Sequence, residues 1–384
     1  MPFETPSFRL SLAQSQQAIF ALKPEWEELH QRCSCPTIYN SFDFVFTSIK
    51  HFSVATDELF FISLRAQTDQ SLVAIFPFSL SDYYWRMGKF RSILLAGREE
   101  SDKAYPIIEK QLEAAVWPEV LRFLTEHQKR WQFLDFEEVR ESSVAQQALE
   151  KQFKSGYLVH SNADAVSPII DLSQSWDEFW AEHRKMRKRV RKIESVFADE
   201  FKFEVVSEKH LLMQALEDYI ELEKRSWKSK AKVGIGKSPS TIAFYREYFE
   251  ILAENNQLEF AFLYKGDELV SAEIAYTFGS TVYFSHGCYS SNFKSLSPGM
   301  VSTCLFLKHY FGKNYQDGDF LGGFAQYINP WASQLMPSTN LIVIRIGFKT
   351  VLFYLLDLSR RLLFKPIKVR LANWMGRSKE RQKY

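Results

Sequence analysis

Residues 281–300 constrain this chain most, because a strand-like run leads there into a helix start written Ser297-Pro298-Gly299-Met300. Thr281-Val282-Tyr283-Phe284-Ser285-His286-Gly287-Cys288-Tyr289 is dense in β-branched and aromatic residues, and it breaks at Ser290-Ser291-Asn292. In the tetrapeptide, Ser297 suits the N-cap, Pro298 the first helical position, and Gly299 keeps side-chain bulk off the backbone. Such a junction turns free N–H groups and the positive end of a helix dipole towards the rim of a sheet, which suits a pyrophosphate. Two alternating apolar runs, 258–264 and 269–278, precede it as a hairpin around Lys265-Gly266-Asp267-Glu268. A helix over 301–313 follows it, then a short strand through Asp319 to Gly322-Gly323, then Tyr327 and Trp331 four residues apart.

This order of elements resembles that of the second half of a GCN5-related N-acetyltransferase (GNAT). Residues 167–331 resemble the GNAT domain of the CelD-like and BioF2-like proteins of bacterial polysaccharide biosynthesis, relatives of the FemAB peptidyltransferases. The resemblance is carried by the basic helix 184–192, by Arg225-Ser226-Trp227-Lys228 and by Leu269-Val270-Ser271-Ala272-Glu273-Ile274. Ser297-Pro298-Gly299, Asp319-Phe320-Leu321-Gly322, and Tyr327 with Trp331 complete it. It departs at Ile328, where the family commonly has Lys. The resemblance implies an N-acyltransferase that moves an acyl group from acyl-CoA to an amine of a sugar, nucleotide-sugar or other cell-envelope precursor. The FemAB relatives imply aminoacyl-tRNA as an alternative donor, since fold does not fix the reaction. A non-catalytic, membrane-docked partner of a polysaccharide synthase is the reading that Ile328 favours.

With 384 residues, 46% of them hydrophobic, the chain can build two cores of ordinary size. The expected fold class is α/β (α+β): two GNAT-like lobes, each a mixed, mainly antiparallel sheet flanked by helices. Residues 1–166 form a degenerate first lobe, 167–340 the acyltransferase lobe, and 341–384 a basic amphipathic helix or tail. In the first lobe a hairpin over 58–65 and 71–80, a helix within 107–130 that Pro118 kinks or splits, and a strand over 131–139 echo the later order.

The net charge of +2 hides an asymmetry, because residues 341–384 hold eleven Lys or Arg against Asp357 and Glu380. A basic amphipathic segment of this kind either lies on an anionic surface, as a peripheral protein at the inner membrane, or packs on the second lobe. Its uncharged apolar run, 350–356, is far shorter than the roughly 20 residues a spanning helix needs. Cys33, Cys35, Cys288 and Cys304 match neither a disulfide framework nor zinc-ligand pairs, so a reducing cytoplasm and no metal are expected. Sequence-reading nucleic-acid motifs are absent, and no DNA partner is expected.

Acyl transfer needs a base for the amine, stabilisation of the oxyanion, and a proton for the leaving thiolate. Glu273, mid-strand among Ala272, Ile274 and Ala275, is the candidate base, because partial burial would raise its pKa. His286 could serve directly or through water. Tyr327 is placed to protonate a thiolate of pKa about 8.5, the part the resemblance gives to such a tyrosine. Asp319 either orients the substrate amine or caps the glycine turn. Ser297, Gly299 and Met300 would hold the donor's pyrophosphate through backbone N–H groups.

Ser175-Trp176-Asp177-Glu178 is a capping box, and the apolar spacing after it predicts a helix through Phe197. Arg184, Arg187, Lys188 and Arg191 on that helix, with Trp227, are the candidate phosphate-binding set; a solvated basic face is the alternative. Residues 231–238 superficially resemble a P-loop, but Ala231 stands at the first glycine position and Pro239 follows, so a mobile loop at the mouth of the site is expected.

Overall fold

The computed structural model describes residues 6–85, 88–103, 105–140, 143–153, 156–197, 201–322, 328–352 and 355–356. The strands, in chain order, are β1 (Phe8–Ala13), β2 (Glu58–Ala66), β3 (Leu72–Trp85), β4 (Gly88–Leu95), β5 (Ile107–Ile108), β6 (Phe133–Arg140) and β7 (Tyr157–Asp171). They continue as β8 (Phe201–Val206), β9 (Leu258–Lys265), β10 (Glu268–Phe278), β11 (Thr281–Tyr289), β12 (Asp317–Asp319) and β13 (Gln334–Arg345). All join one mixed sheet in the order β1-β2-β3-β4-β6-β13-β7-β12-β11-β10-β9-β8, with β5 paired to β3. Helices flank it, so the chain has the expected mixed α/β fold.

The last strand, β13, lies between β6 and β7 and is antiparallel to both. The expected limits at 166/167 and 340/341 therefore fall inside β7 and β13, and the sheet runs without a gap from one half of the chain to the other. The halves also share aromatic packing: Phe44 meets Phe244 and Tyr248 at 5.6 and 5.2 Å, and Tyr39 meets Tyr283 at 5.8 Å. Such edge-on pairs contribute beyond the area they bury.

Two neighbouring pairs are parallel. β11 and β12 pair through Thr281↔Asp317, Val282↔Gly318 and Tyr283↔Asp319, and the helix Pro298–Tyr310 crosses between them. Beyond Tyr283 the two strands part, so among the described residues 284–289 have no strand on that side. β4 and β6 repeat the arrangement in the first half, pairing through Ser92↔Phe133, Ile93↔Leu134 and Leu94↔Asp135, with the helix Glu113–Glu126 in their connection. A ligand in an open α/β sheet binds at the carboxyl ends of parallel strands where they diverge.

Several local expectations need correction. The helix expected from Trp176 to Phe197 is two, Trp176–Glu182 and Arg184–Phe197, parted at His183, whose Nδ1 lies 2.7 Å from the Phe179 carbonyl. The capping box itself is present, with Ser175 and Glu178 each accepting the other's backbone N–H. Pro118 neither splits nor ends the helix Glu113–Glu126; the carbonyl it leaves without a donor, that of Ala114, belongs to an exposed residue. Residues 107–108, expected within a helix, are a strand. Leu341–Arg345, expected to open a helix, completes β13 instead: Ile342-Val343-Ile344 is a β-branched run, and Leu341 and Val343 are buried on one face. After residues 231–238 comes the helix Pro239–Glu254, capped by Ser238, whose hydroxyl accepts the Thr241 N–H at 3.1 Å.

Candidate active site

Where β11 and β12 part, a cavity of about 550 Å³ opens between the strand edge and the start of the helix Pro298–Tyr310. Of the residues singled out in the sequence, the structure gathers Glu273, His286, Trp227, Ser297, Gly299 and Met300 in its wall.

Glu273 stands in the middle of β10, directly across from Gly287 of β11, which has no side chain to crowd it. The residue is 7% exposed, and the Thr303 hydroxyl lies 2.6 Å from its carboxyl. Burial pushes its pKa up to about 8, against the opposing pull of Thr303 and the charge of Lys228. Thr303 also lies 2.7 Å from the Gly299 carbonyl. One hydroxyl carries one proton. With Glu273 protonated, the carboxyl donates to Thr303 and Thr303 to Gly299; once Glu273 ionises, the hydroxyl can satisfy only one of the two oxygens. The charge on Glu273 is thereby tied to the first turn of the helix.

His286 follows an irregularity in the β10–β11 register between Ile274 and Ala275. Its Nε2 lies 2.8 Å from the Tyr245 hydroxyl, which donates to Glu100 at 3.1 Å. Burial first, then the charges of Lys228 and Lys237, hold the imidazole well below its ordinary pKa, so it is neutral at pH 7.

Lys228 lines the cavity and is nearly buried, with Nζ 3.3 Å from the Tyr219 hydroxyl and 3.8 Å from Glu223. Glu223, also buried, accepts the backbone N–H groups of Ile235 at 3.3 Å and Gly236 at 2.7 Å. Gly234 packs so closely that a Cβ there would lie 2.1 Å from a Glu223 oxygen, and its φ of +94° also favours glycine. The segment expected to be a mobile loop thus lines the cavity and is tied down by a buried carboxylate.

The helix entry differs from expectation in two ways. Ser297 is left-handed (φ +50°) and its side chain makes no capping hydrogen bond. The Met300 N–H turns back onto the Ser297 carbonyl at 3.1 Å. The Ser297 N–H donates to the Lys294 carbonyl at 3.2 Å, so of the three amides expected to meet a pyrophosphate, Gly299's is the one without a backbone partner among the described residues. Gly299 itself packs against Tyr289, where a Cβ would approach ring Cδ1 to 3.2 Å.

Four candidate cations do not reach the cavity. Arg184, Lys188 and Arg191 are exposed, and Arg187 donates to the Trp180 carbonyl at 3.2 Å. Arg189 of the same helix does line it, as does Lys294. Asp319 lies elsewhere: it is buried, ion-paired with Lys103, and accepts the Leu321 N–H at 2.9 Å, so it caps the turn and does not face the cavity. Ile328 is fully buried beside Trp331 and Phe320 in the core, a place where a lysine ammonium would need a partner. Tyr327 lies outside the described residues. Thr303, Glu100 and Tyr245 carried no sequence signal; they become visible only as contacts of Glu273 and His286. All four cysteines are free, and no His, Cys, Asp and Glu cluster among the described residues could hold a metal ion. No helix among them is long and apolar enough to cross a membrane.

Residues 181–328 match the family described as Acetyltransferase (GNAT) domain. No curated protein matches the sequence. Among solved structures, FemX is similar at 11% identity and a TM-score of 0.55, over 87% of this chain and 96% of that one. A conserved protein of unknown function from Bacteroides thetaiotaomicron is similar at 8% identity and a TM-score of 0.52, over 88% of this chain and all (100%) of that one. At such identities the likeness speaks for the fold, which extends over both halves of the sheet. The stretch 181–328, which supplies β10, β11 and the helix entry of the cavity, is thus similar to a GNAT acetyltransferase domain.

Proposed function

We propose that this protein is an N-acyltransferase that uses acyl-CoA, and that its acceptor is an amine of a sugar, nucleotide-sugar or other cell-envelope precursor. The observation that carries the reading is the buried Glu273, held beside a helix entry that leaves the Gly299 amide free, in one cavity with Lys228, Arg189 and Lys294. The donor's amide-bearing arm would lie along the open edge of 284–289, as an added strand does, with its phosphates at the helix entry and the cations. The amine nitrogen forms a bond to the thioester carbonyl carbon and the C–S bond breaks. The amine's proton passes to ionised Glu273, and the thiolate leaves as the thiol with a proton from solvent or from Tyr327. Calorimetric titration with acetyl-CoA and longer acyl-CoAs is expected to give saturable binding that weakens with salt. Failure of every CoA ester to bind would remove this reading.

A second donor is favoured by one observation: the outer face of the helix Arg184–Phe197 exposes Arg184, Lys185, Lys188, Arg191 and Lys192, while Arg189 of the same helix reaches the cavity. That face suits the backbone of an aminoacyl-tRNA. Titration with charged tRNA in place of the CoA ester separates the two.

The membrane-surface reading of the tail rests on how its start is seated. Residues 348–352 are helical. Thr350 is buried and Lys349 donates to the Lys89 carbonyl at 2.6 Å, so the polar side faces the protein. Phe348, Val351, Leu352 and Leu355, at helical spacing, face outward, Phe348 being 88% exposed. The sequence that follows, 357–384, is rich in Lys and Arg, and an apolar stripe followed by basic sequence suits an anionic bilayer. The protein is expected to sediment with vesicles rich in phosphatidylglycerol and to stay in solution with phosphatidylcholine alone. Phe348→Glu with Leu352→Glu should cut the bound fraction about tenfold; equal binding of the double variant would refute the reading.

A further inference from the structure

The cavity has a wall supplied by the first half of the chain. Glu100, in the short turn Arg98–Glu100 after β4, reaches it, and its carboxylate is ion-paired with Lys237 and accepts the Tyr245 hydroxyl at 3.1 Å. The Tyr245 oxygen lies 2.8 Å from His286 Nε2, and the two rings meet edge-on at 5.1 Å.

Counting protons along this chain of contacts leaves one assignment. A carboxylate held by Lys237 is an acceptor, so the single phenolic proton of Tyr245 goes to Glu100. The phenol oxygen can then only accept from His286, which puts the ring proton on Nε2. Nδ1 keeps its lone pair. No described residue hydrogen-bonds Nδ1, and His286 lines the cavity. The charged groups acting on the ring, Lys228 from the second half and Lys237 beside Glu100, both oppose its protonation. Burial of Tyr245 likewise keeps its phenol protonated, with a pKa raised well above its ordinary value.

We propose that Glu100 and Tyr245 are positioning residues that lock His286 in its Nε2–H tautomer, so that Nδ1 is the atom that receives an N–H of the acceptor amine. The proposal rests on the acyltransfer reading for what the histidine does, though the tautomer stands by itself. It also gives the first half of the chain a part in the reaction, through a carboxylate 145 residues from the tyrosine it orients.

The tautomer is read by NMR of the histidine ring nitrogens in full-length, labelled protein near neutral pH. His286 should show a protonated Nε2 and a bare Nδ1. In Tyr245→Phe the signal should move to a tautomer mixture, and Glu100→Gln should do the same more weakly. In the acyltransfer assay kcat should fall by at least about tenfold in Tyr245→Phe, with donor Kd in calorimetry unchanged. A wild-type His286 that carries its proton on Nδ1, or on both nitrogens, overturns the proposal. So does a Tyr245→Phe protein with an unaltered tautomer. Should that variant not fold, Glu100→Gln and the wild-type spectrum decide. Loss of donor binding in the wild type would instead remove the acyltransfer reading and leave the tautomer result intact.

Discussion

Glu273→Gln is expected to lower kcat/KM by about 100- to 10,000-fold, the usual contribution of a positioned base, while making the protein more stable at alkaline pH. Both effects follow from one buried carboxyl. Glutamine keeps the shape and the contact to Thr303 but cannot take a proton from an amine. For stability, the unfolded chain releases the Glu273 proton near 4.5 and the folded chain near 8. Between those values the native state holds a proton that the unfolded state has lost, so this residue makes stability fall as pH rises through the window. A permanently neutral side chain escapes that loss. Thermal unfolding of both proteins on either side of the window should show a Tm gain confined to the upper side. The wild-type rate should rise with pH to a plateau above about 8, as the ionised base accumulates. An unchanged rate in Glu273→Gln would sink the assignment of Glu273 as base, and a Tm difference independent of pH would sink its raised pKa.

Gly299→Glu should abolish donor binding, weakening it by about 100-fold or more, with no loss of fold. A Cβ at this position approaches Tyr289 to 3.2 Å, which the ring can accommodate by a small shift. A carboxylate in the first turn favours the helix dipole, so the helix Pro298–Tyr310 should not suffer. It would, however, sit where the proposal puts the pyrophosphate, with the same sign of charge. Gly299→Ala separates bulk from charge: it should weaken binding by much less. Calorimetry with a CoA ester measures both, and equal affinities in wild type and Gly299→Glu would move the phosphates away from this helix.

The hairpin, the strand before the helix entry and the entry itself were legible because each is written locally. Alternating apolar runs flank Gly266, and Pro298-Gly299 can start a helix whatever surrounds it. Glu273 was legible as well, since a carboxylate among Ala272, Ile274 and Ala275 is out of place in a strand. What escaped is non-local. The middle of β7, Ser161-Asn162-Ala163-Asp164, has the composition of a loop, and its pairing with β13, far away in sequence, makes it part of a strand. The basic helix announced cations without saying which one meets the cavity; Arg189 does so. Asp319 read as a site residue from its motif, yet its partner, Lys103, lies 216 positions away. Nothing near Glu100 in sequence indicates that it serves a histidine in the other half.

The seat of β13 bears on how the protein is made. A ribosome delivers residues 334–345 after every other described strand, but their place is in the interior of the sheet, between β6 and β7. Until they arrive, the nascent protein presents the edge of β6 and the edge of β7 to whatever else can pair with them. Each is a template for another chain. Much of the sheet is complete by residue 322 but waits for its central strand, and a pause or premature stop before residue 345 leaves two sticky halves in place of one folded molecule. Synthesis of this protein should therefore lean on chaperones late, at the last strand.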